Sequence, residues 1–595
     1  MVAKLELLPN EILIQCFEYF NTPYLFYSFD QLNYRFNDLI RHIPLRINLK
    51  EDLSKSILDK FCTKMCTNPE IRDQVYSLNL PSLKNNDPAG LRTKLFLSFF
   101  SLEDFVNLQN FQTNAEMHFR SINTVSFDFN DKKMLEFSMI SFSKLRALSI
   151  PKLYGRSTNL ENIGLTITNL TVASCVSSDF IYLSKDAPML KYLHVNQLSS
   201  STSLLFKNKN GCLFHLKKLI IDDFIYGSFD EFELFVKFTP NLENLTISAD
   251  EKELINAARW KQLITRSLLS LNTFQFKFSS SRYKLELDTM IPKLEEFQSD
   301  FWRKEHHWFT EYAIADDSIC IYTIPYAFNT YKLKSNYQRH HNNLTNNSSI
   351  FDNVTNLRLN YGILKKKCEH YFSNVTSLKL DGRCKSLVIE EIECLRKIVN
   401  PFHLQQLYLS QVDCINSSLL SHLLELMPQL SVLSIWQDDL IKYFNDSKLC
   451  KCLNKMVKRL YVEGNGDDDL FRMDLFYEVF RNIEHLQFEA SSSEGLLFSL
   501  TRLPKLSTLK VKWKEMNDPG RPISQIENEL IKQNVIYDIK TDEHYTRDGD
   551  SDTDFRYDTF GEMYYRERFR VVYYNITVCM WRDNHITCTN RFQFS

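Results

Sequence analysis

Acidic residues near the C-terminus alternate in the way that a calcium-binding loop begins: Asp548, Asp550, Asp552 and Asp554. Such a loop also needs glycine at its sixth position and a bidentate glutamate at its twelfth. Counted from the first aspartate, those positions hold Thr553 and Thr559. We therefore interpret this segment as a solvated acidic loop and predict that it binds no metal.

Histidine and cysteine are the other residues whose spacing could hold a metal or perform catalysis. The adjacent pairs His306-His307 and His340-His341 have a spacing that rarely directs both imidazoles at one ion. The 14 cysteines contain no Cys-x-x-Cys pair. The sequence also has no phosphate-binding glycine loop, serine-hydrolase elbow, HExxH motif or kinase signature. It predicts a protein that is not an enzyme and that uses no cofactor.

Composition limits the class of protein and its partners. Of 595 residues, 44% are apolar and 24% are charged, which is sufficient for a large folded core. The formal net charge of −2 gives no broad attraction to nucleic acid or to an anionic membrane. No apolar run reaches the roughly 18 residues of a transmembrane helix, and no signal peptide is recognisable. We expect no nucleic-acid or membrane partner and a cytoplasmic or nuclear location, which suits scattered free cysteines.

A short pattern, apolar-x-x-apolar-x-apolar, recurs along most of the chain. Its central apolar residues are 21 to 29 residues apart within two runs, 125–297 and 357–509. This period is typical of leucine-rich repeats, in which the pattern forms a strand. The sixteen matches are 75–80, 122–127, 145–150, 167–172, 190–195, 216–221, 242–247, 271–276, 294–299, 354–359, 375–380, 404–409, 430–435, 457–462, 483–488 and 506–511.

Prolines and helical periodicity account for the rest of each repeat. A proline before a strand ends the preceding helix, and five matches have one: Pro188, Pro240, Pro292, Pro428 and Pro504. Segments with helical spacing precede several strands, and the second of them opens with candidate capping serines. These segments are 228–238, 417–427, 473–483 and 492–503.

The repeats resemble the F-box leucine-rich-repeat architecture over residues 75–515. The resemblance implies an α/β fold, a curved solenoid or horseshoe with parallel strands on its concave face and helices on its convex face. Residues 300–352 are an irregular insertion, in which 318–324 is a predicted strand and 339–349 a predicted surface loop. Residues 516–595 are interpreted as a C-terminal cap, with a helix at 526–533 and a β-hairpin formed by 570–581 and 585–594.

Residues between the apolar positions of a strand face away from the core and are the candidates for target binding. Tyr408, Trp436 and Tyr461 occur on consecutive repeats, so an exposed aromatic cluster with basic neighbours is expected there. The alternative is that these aromatic side chains only pack along the ladder. The predicted target-binding residues are Tyr192, His194, Arg358, Lys379, Tyr408, Trp436, Arg459 and Tyr461.

Residues 5–41 read as two or three short helices with more apolar surface than one core-facing stripe requires. Ile12, Ile14 and Tyr19 fall outside the main stripe. About forty residues bury their own apolar surface poorly. We therefore expect this segment to complete its core against another protein.

The sequence LPNEIL at 8–13 is followed by CFEYF and later by LNYRFNDL, and it resembles the F-box. The match departs from the family pattern at Tyr24, where an acidic residue is usual, and at Phe36, where tryptophan is more common. The predicted domains are an F-box at 1–48 and a helical connector at 49–74 before the repeats.

The F-box resemblance implies docking to a Skp-type adaptor and, through it, to a cullin–RING ubiquitin ligase. The repeats are then expected to bind a target protein, which makes the chain a non-catalytic substrate receptor. The alternative is a leucine-rich-repeat scaffold that binds partners without ubiquitin transfer. The predicted adaptor-binding residues are Leu8, Pro9, Glu11, Ile12, Leu13, Phe17, Leu25, Leu32 and Phe36.

Overall fold

The structure is a computed structural model of the whole chain. It describes residues 6, 8–49, 53, 55–80, 88–113, 117–118, 135–136, 144–152, 166–199, 212–225, 227–280, 287–315, 318–334, 337–340, 350–366, 368, 370–382, 387–409, 415–464, 474–490, 499–514, 528, 536–545, 556–557, 563–564 and 572–581.

The chain forms two compact units, each built on its own large sheet. The first unit comprises residues 1–84, 89–329 and 336–353, and the second comprises 85–88, 330–335 and 354–595.

The first unit contains a twelve-stranded sheet. Its first nine strands are parallel, and the last three join them in antiparallel pairs. In spatial order the strands are Leu45–Asn48, Val75–Leu80, Asn110–Thr113, Ala147–Lys152, Asn169–Val176, Tyr192–Ser199, Lys218–Ile225, Asn244–Ala249, Thr273–Ser280, Ser318–Ile324, Phe309–Ala315 and Gln338–His340.

The second unit contains a ten-stranded sheet, with eight parallel strands followed by two antiparallel ones. Its strands are Thr330–Leu333, Asn356–Asn360, Ser377–Asp381, Gln406–Leu409, Val432–Trp436, Arg459–Glu463, His485–Ala490, Thr508–Lys514, Val572–Trp581 and Ile536–Tyr545. Two further short pairs are Met117–His118 with Leu135–Glu136 and Arg556–Tyr557 with Met563–Tyr564.

Helices connect many of the strands. The α-helices are Asn10–Glu18, Thr22–Phe29, Tyr34–His42, Lys55–Thr67, Pro69–Asp73, Pro88–Phe99, Asp179–Asp186, Phe229–Val236, Ala257–Ser267, Leu287–Glu295, Ile389–Glu393, Ser417–Glu425, Gln437–Tyr443, Ser447–Met456 and Asp474–Val479. Shorter 3-10 or π turns are Leu102–Asp104, Lys252–Leu254, Glu296–Gln298, Phe301–Glu305, Tyr361–Lys365, Cys394–Lys397 and Pro401–His403.

The central leucine of each repeat explains why the parallel strands stay in register. In the second unit these leucines pair directly from strand to strand, and each is buried beneath the sheet. A one-residue slip would turn every one of them to the opposite face, so burial fixes the register. The ladder is Leu357, Leu378, Leu407, Leu433, Leu460, Leu486 and Leu509.

Fourteen of the sixteen predicted strand segments contain a strand in the structure. Segment 122–127 lies outside the described residues. Segment 294–299 was predicted wrongly, because it ends the helix Leu287–Glu295 and continues as the turn Glu296–Gln298. Pro292 lies inside that helix and does not end it. The segment has no β-branched residue and two adjacent glutamates, which favour helix, and Phe297 is still fully buried.

The sheet begins earlier than the predicted boundary at residue 75. Leu45–Asn48, inside the region assigned to the F-box, pairs in parallel with Val75–Leu80. Asn110–Thr113 and Thr330–Leu333 are further strands that the repeat pattern did not identify. All three are only four residues long and show too little of the pattern to be recognised.

The insertion and the helix cap differ in detail from the expectation. The predicted strand at 318–324 is confirmed. The predicted loop begins instead as the strand Gln338–His340, and its remainder lies outside the described residues. Asn416, not a serine, caps the helix Ser417–Glu425, because its side chain accepts a hydrogen bond from the Leu419 amide at 2.9 Å.

The C-terminal hairpin was predicted wrongly. Val572–Trp581 lies between Thr508–Lys514 and Ile536–Tyr545 and pairs with both in antiparallel register. Both of its edges are therefore occupied along most of its length. Residues 585–594, the expected partner strand, lie outside the described residues, as does most of the helix predicted at 526–533.

Candidate binding surfaces

The N-terminal helical segment, residues 8–42, is held together by caps and by one arginine. Asn33 caps the third helix by accepting a hydrogen bond from the Phe36 amide at 2.9 Å. Arg35 donates to the carbonyl oxygen of Leu8 at 2.6 Å and to Oδ1 of Asn10 at 2.8 Å. These bonds fix the chain that leads into the first helix against the third.

Four of the predicted adaptor-binding side chains are buried in this protein's own core: Leu13, Phe17, Leu25 and Phe36. The ring of Phe17 lies 5.0 Å from that of Phe29 and 5.9 Å from that of Phe36. The prediction of direct contact is therefore corrected for these four residues. They orient the helices and cannot touch another chain in this conformation.

The remaining five predicted adaptor-binding residues are accessible. Pro9, Glu11, Ile12 and Leu32 are exposed, and Leu8 is half-buried. The structure adds aromatic side chains that the prediction omitted, with Tyr19 92%, Tyr34 85% and Tyr27 62% exposed. Only Tyr19 had a sequence signal, since it fell outside the main apolar stripe. We call Ile12, Tyr19, Tyr27, Leu32 and Tyr34 the exposed apolar set.

The N-terminal helical segment covers the open edge of the first sheet. Asn21 donates through Nδ2 to the carbonyl oxygen of Asn48 at 2.7 Å and accepts from the Asn48 amide at 2.9 Å. Thr22 donates through Oγ1 to the carbonyl oxygen of Arg46 at 2.6 Å. An uncovered edge strand is a template for unwanted pairing. These bonds therefore make the segment the cap of the sheet.

The core of this segment is completed within the chain. The Phe26 ring lies 5.3 Å from that of Phe61 on the helix Lys55–Thr67. Leu13 and Phe17 belong to the same continuous apolar cluster as the strands of the first sheet. The expectation that another protein completes this core was wrong, because the following helix and strand supply the missing apolar surface.

Tyr192 and His194 lie on the first sheet, where both are half-buried. The Lys218 ammonium lies 5.6 Å from the centre of the Tyr192 ring, and His194 Nε2 is 2.8 Å from Oδ2 of Asp222. Burial, followed by the negative charge of Asp222, raises the pKa of Tyr192. These two predicted target-binding residues are therefore engaged by neighbours on the same sheet.

The other predicted target-binding residues lie on the second unit, in or beside one continuous row of paired residues. We call this row the tyrosine row. It runs across all eight parallel strands on the face opposite the buried leucines. Its members are Lys332, Arg358, Lys379, Tyr408, Ser434, Tyr461, Gln487 and Lys510.

The two tyrosines of this row form a pair over an intervening strand. Their ring centres are 6.5 Å apart and their planes differ by 26°. Ser434 lies between them in the register and is 2% exposed. Tyr408 donates to Oε1 of Gln406 at 3.0 Å, and its pKa is raised by burial and then by Tyr461. Both ring faces remain partly accessible.

Trp436 does not join this pair. It lies one residue pair further along the strand, opposite Glu463, and immediately precedes the helix Gln437–Tyr443. Its indole Nε1 is buried without a hydrogen-bond partner in the described part of the chain. The predicted trio is therefore reduced to a tyrosine pair. Arg459 is exposed and pairs in register with Val432 and His485.

The cations around the tyrosine row differ in how they are paired. Arg358 contacts the Asp381 carboxylate, and Lys512 lies 2.7 Å from Oε1 of Glu489. Lys379 and Lys510 form no ion pair with any described residue. The row itself carries four cations and no anion, although the whole chain has a net charge of −2. This face therefore has a local positive charge.

Neither a metal site nor a transmembrane helix is found among the described residues. No group of three or more potential ligands from His, Cys, Asp and Glu is placed to hold an ion there. His306 stacks on Trp308 at 4.2 Å and His340 on Tyr312 at 4.8 Å, so both have packing roles. No described helix is both long and apolar enough to cross a bilayer.

Comparison with known proteins gives limited information. No family model and no curated protein matches the chain. A complex of TLR13 with ssRNA13 is similar at 13% identity and a TM-score of 0.25, covering 74% of this chain and 63% of that one. This chain thus spans less than two thirds of the TLR13 chain. A leucine-rich-repeat protein of Leptospira interrogans is similar at 12% identity and a TM-score of 0.17, covering 79% and 97%.

At such low TM-scores these similarities carry no argument about function. The fold is instead defined by the stacked strands themselves. It is a mixed α/β fold with parallel strands that recur with the leucine pattern and helices between many of them. This arrangement is consistent with a leucine-rich-repeat fold.

Proposed function

We propose that this chain is a non-catalytic substrate receptor of a Skp–cullin–F-box ubiquitin ligase in the cytosol or nucleus. The N-terminal helical segment binds a Skp-type adaptor, and the repeat sheets bind a target protein. The ligase then holds a lysine of the target near an activated ubiquitin. Catalysis is by proximity, which raises the effective concentration of the two reacting groups.

The observation that carries this proposal is the exposed apolar set beside the LPNEIL sequence. Leu32 is 61% exposed and Ile12 is 42% exposed on a segment of about forty residues that also exposes three tyrosines. Large apolar side chains gathered on one small surface are typical of a protein-binding site. The resemblance of LPNEIL to the F-box indicates a Skp-type adaptor as the partner.

The structure refines which residues make the contact. Leu8, Pro9, Glu11, Ile12 and Leu32 are the accessible members of the predicted set. Of the omitted aromatic residues, Tyr19, Tyr27 and Tyr34 are also assigned to the interface. Tyrosine supplies a large contact area at low conformational cost and is common at such surfaces.

The second candidate is a repeat scaffold that takes no part in ubiquitin transfer. The observation that favours it is the completed core of the N-terminal helical segment, whose Asn21 and Thr22 cap the first sheet. A segment with that structural role does not need an adaptor. The two candidates differ in one property, which is adaptor binding.

A pull-down of the full chain with a purified Skp-type adaptor distinguishes the candidates. The proposal predicts that the wild-type chain retains the adaptor and that Leu8→Ala combined with Pro9→Ala releases it. The matched control is Leu269→Ala, which truncates a leucine that is 79% exposed elsewhere in the first unit. Absence of adaptor from the wild-type pull-down would support the scaffold instead.

A further inference from the structure

The tyrosine row has the features of a peptide-binding surface whose charge selects its partner. Two partly exposed aromatic rings lie at its centre, and cations lie towards both of its ends. Lys379 and Lys510 are five strands apart in the register, which corresponds to about 24 Å at the usual spacing of neighbouring strands. An extended peptide covers that distance with about seven residues.

We propose that the tyrosine row binds an acidic, carboxylate-rich segment of a protein partner. This inference names the class of target and rests on the proposed function only for the fate of that target. The two cations without an ion-pair partner, Lys379 and Lys510, receive carboxylates of the segment. The ring faces of Tyr408 and Tyr461 receive its apolar or backbone groups between those ends.

Charge complementarity is the first argument for this partner. Four cations in the row face no anion of the same row, and Arg459 and Lys512 lie on adjacent positions of the same strands. Cations that lack partners in the free protein become paired when an acidic segment binds. Opposite charge also raises the rate of association and excludes basic competitors.

The distribution of charge favours carboxylates over a phosphate group. A phosphate dianion is usually bound by clustered cations, often with bidentate arginine. Here the cations are spread over many strands, and Arg358, the arginine of the row, already contacts Asp381. Single carboxylates at intervals along a peptide fit this spacing better.

The neighbouring acidic residues favour a peptide over a nucleic acid. Asp381, Glu463 and Glu489 lie two residues along their strands from Lys379, Tyr461 and Gln487 and border the tyrosine row. A nucleic acid carries a negative charge at every nucleotide and meets repulsion there. A peptide carries charge only at chosen side chains, so it can place neutral residues over this border.

The experiment is selection of random peptides displayed on phage against the full-length protein. The proposal predicts that Asp and Glu are enriched among peptides bound by the wild-type chain. Lys379→Glu with Lys510→Glu should abolish this enrichment or replace it with Lys and Arg. The matched control is Lys397→Glu with Lys451→Glu, which changes the net charge equally at exposed lysines away from the row. This control should retain the acidic enrichment.

Fluorescence anisotropy with one selected acidic peptide then measures the effect. Charge reversal of Lys379 and Lys510 should weaken binding at least about tenfold, and Tyr408→Ala with Tyr461→Ala should do the same. A neutral version of the peptide, with Gln and Asn for its acidic residues, should bind as weakly. Folding of each variant is checked by circular dichroism.

Several results would overturn the proposal. These are selected peptides without an acidic excess, equal binding by the charge-reversed chain, tighter binding of a single-stranded oligonucleotide, or binding only when the peptide is phosphorylated. Adaptor binding is measured on the same variants and should be unchanged. Loss of peptide binding with retained adaptor binding, or the reverse, therefore shows which of the two proposals has failed.

Discussion

At the scale of single residues, burial determines which cysteines can react. Cys62 and Cys175 are buried, and that burial raises the pKa of both thiols, with further contributions from nearby Asp59 and Asp179 respectively. Cys66 is exposed on the same helix as Cys62. The thiolate is the reactive form, so a raised pKa and lack of access both suppress reaction.

We therefore expect iodoacetamide at neutral pH to modify Cys66 rapidly and to leave Cys62 and Cys175 unmodified in the native protein. Mass spectrometry of the digested protein measures the modified fraction at each position. In urea all three should react at similar rates, which serves as the control. Rapid native modification of Cys62 would show that the helix Lys55–Thr67 does not pack as described.

A second prediction at this scale concerns Asn21, which is 7% exposed and bonds both backbone polar groups of Asn48. Asn21→Ala leaves those groups without these partners inside the protein. We expect a loss of about 1–3 kcal/mol in the free energy of unfolding, measured with urea. Hydrogen exchange at the Asn48 amide should also become faster.

The control for this change is Asn37→Ala, which removes a hydrogen bond of the same type to the Gln31 amide at an exposed position. Because water replaces that bond, its loss should cost well under about 1 kcal/mol. Equal effects of the two substitutions would contradict the capping role of Asn21.

The sequence could predict some of these residue roles and not others. The spacing of Leu13, Phe17 and Phe36 predicted an apolar face, but spacing alone does not say whether that face meets the chain's own sheet or a partner. Burial decides this, and the structure places all three inside the protein's core. Tyr27 and Tyr34 became candidates only once their exposure was known.

At the scale of elements, the most buried ion pair joins two antiparallel strands of the first unit. Arg339 on Gln338–His340 donates to both carboxylate oxygens of Glu311 on Phe309–Ala315, with the shortest nitrogen–oxygen distance 2.7 Å. The two side chains are 3% and 1% exposed. Breaking such a pair leaves an uncompensated charge in a medium that solvates it poorly.

Glu311→Gln should therefore lower the free energy of unfolding of the first unit by about 3–5 kcal/mol. Glu243→Gln is the matched control, because its partner Lys217 lies at 2.7 Å but both side chains are well exposed. The control should cost less than about 1 kcal/mol. Urea denaturation followed by tryptophan fluorescence measures both, and equal costs would contradict the burial of the Arg339 pair.

Strand elements were predictable where the repeat pattern was long and its apolar residues were buried in register. The pattern at 75–80 coincides with the strand Val75–Leu80. Segment 294–299 has the same pattern of apolar residues but lacks strand-forming residues, and local helix preference prevailed. The short strand Leu45–Asn48 depends on pairing with distant residues, which a local pattern cannot reveal.

At the scale of the whole molecule, the chain consists of two compact units with separate sheets, although the sequence predicted one uninterrupted solenoid. The antiparallel strands at the end of the first sheet explain the division, because they break the parallel repeat within the insertion that the sequence identified. The exposed apolar set belongs to the first unit and the tyrosine row to the second. Adaptor binding and peptide binding should accordingly be separable by substitution.

The most direct test of the receptor function is isothermal titration of the full-length chain with a purified Skp-type adaptor. We predict that the wild-type chain binds, that Ile12→Glu with Leu32→Glu weakens binding at least about tenfold, and that the control Leu269→Glu leaves it unchanged. All three proteins should unfold at similar urea concentrations, because the replaced side chains are exposed. No binding by the wild-type chain, or equal binding by all three, would contradict the account.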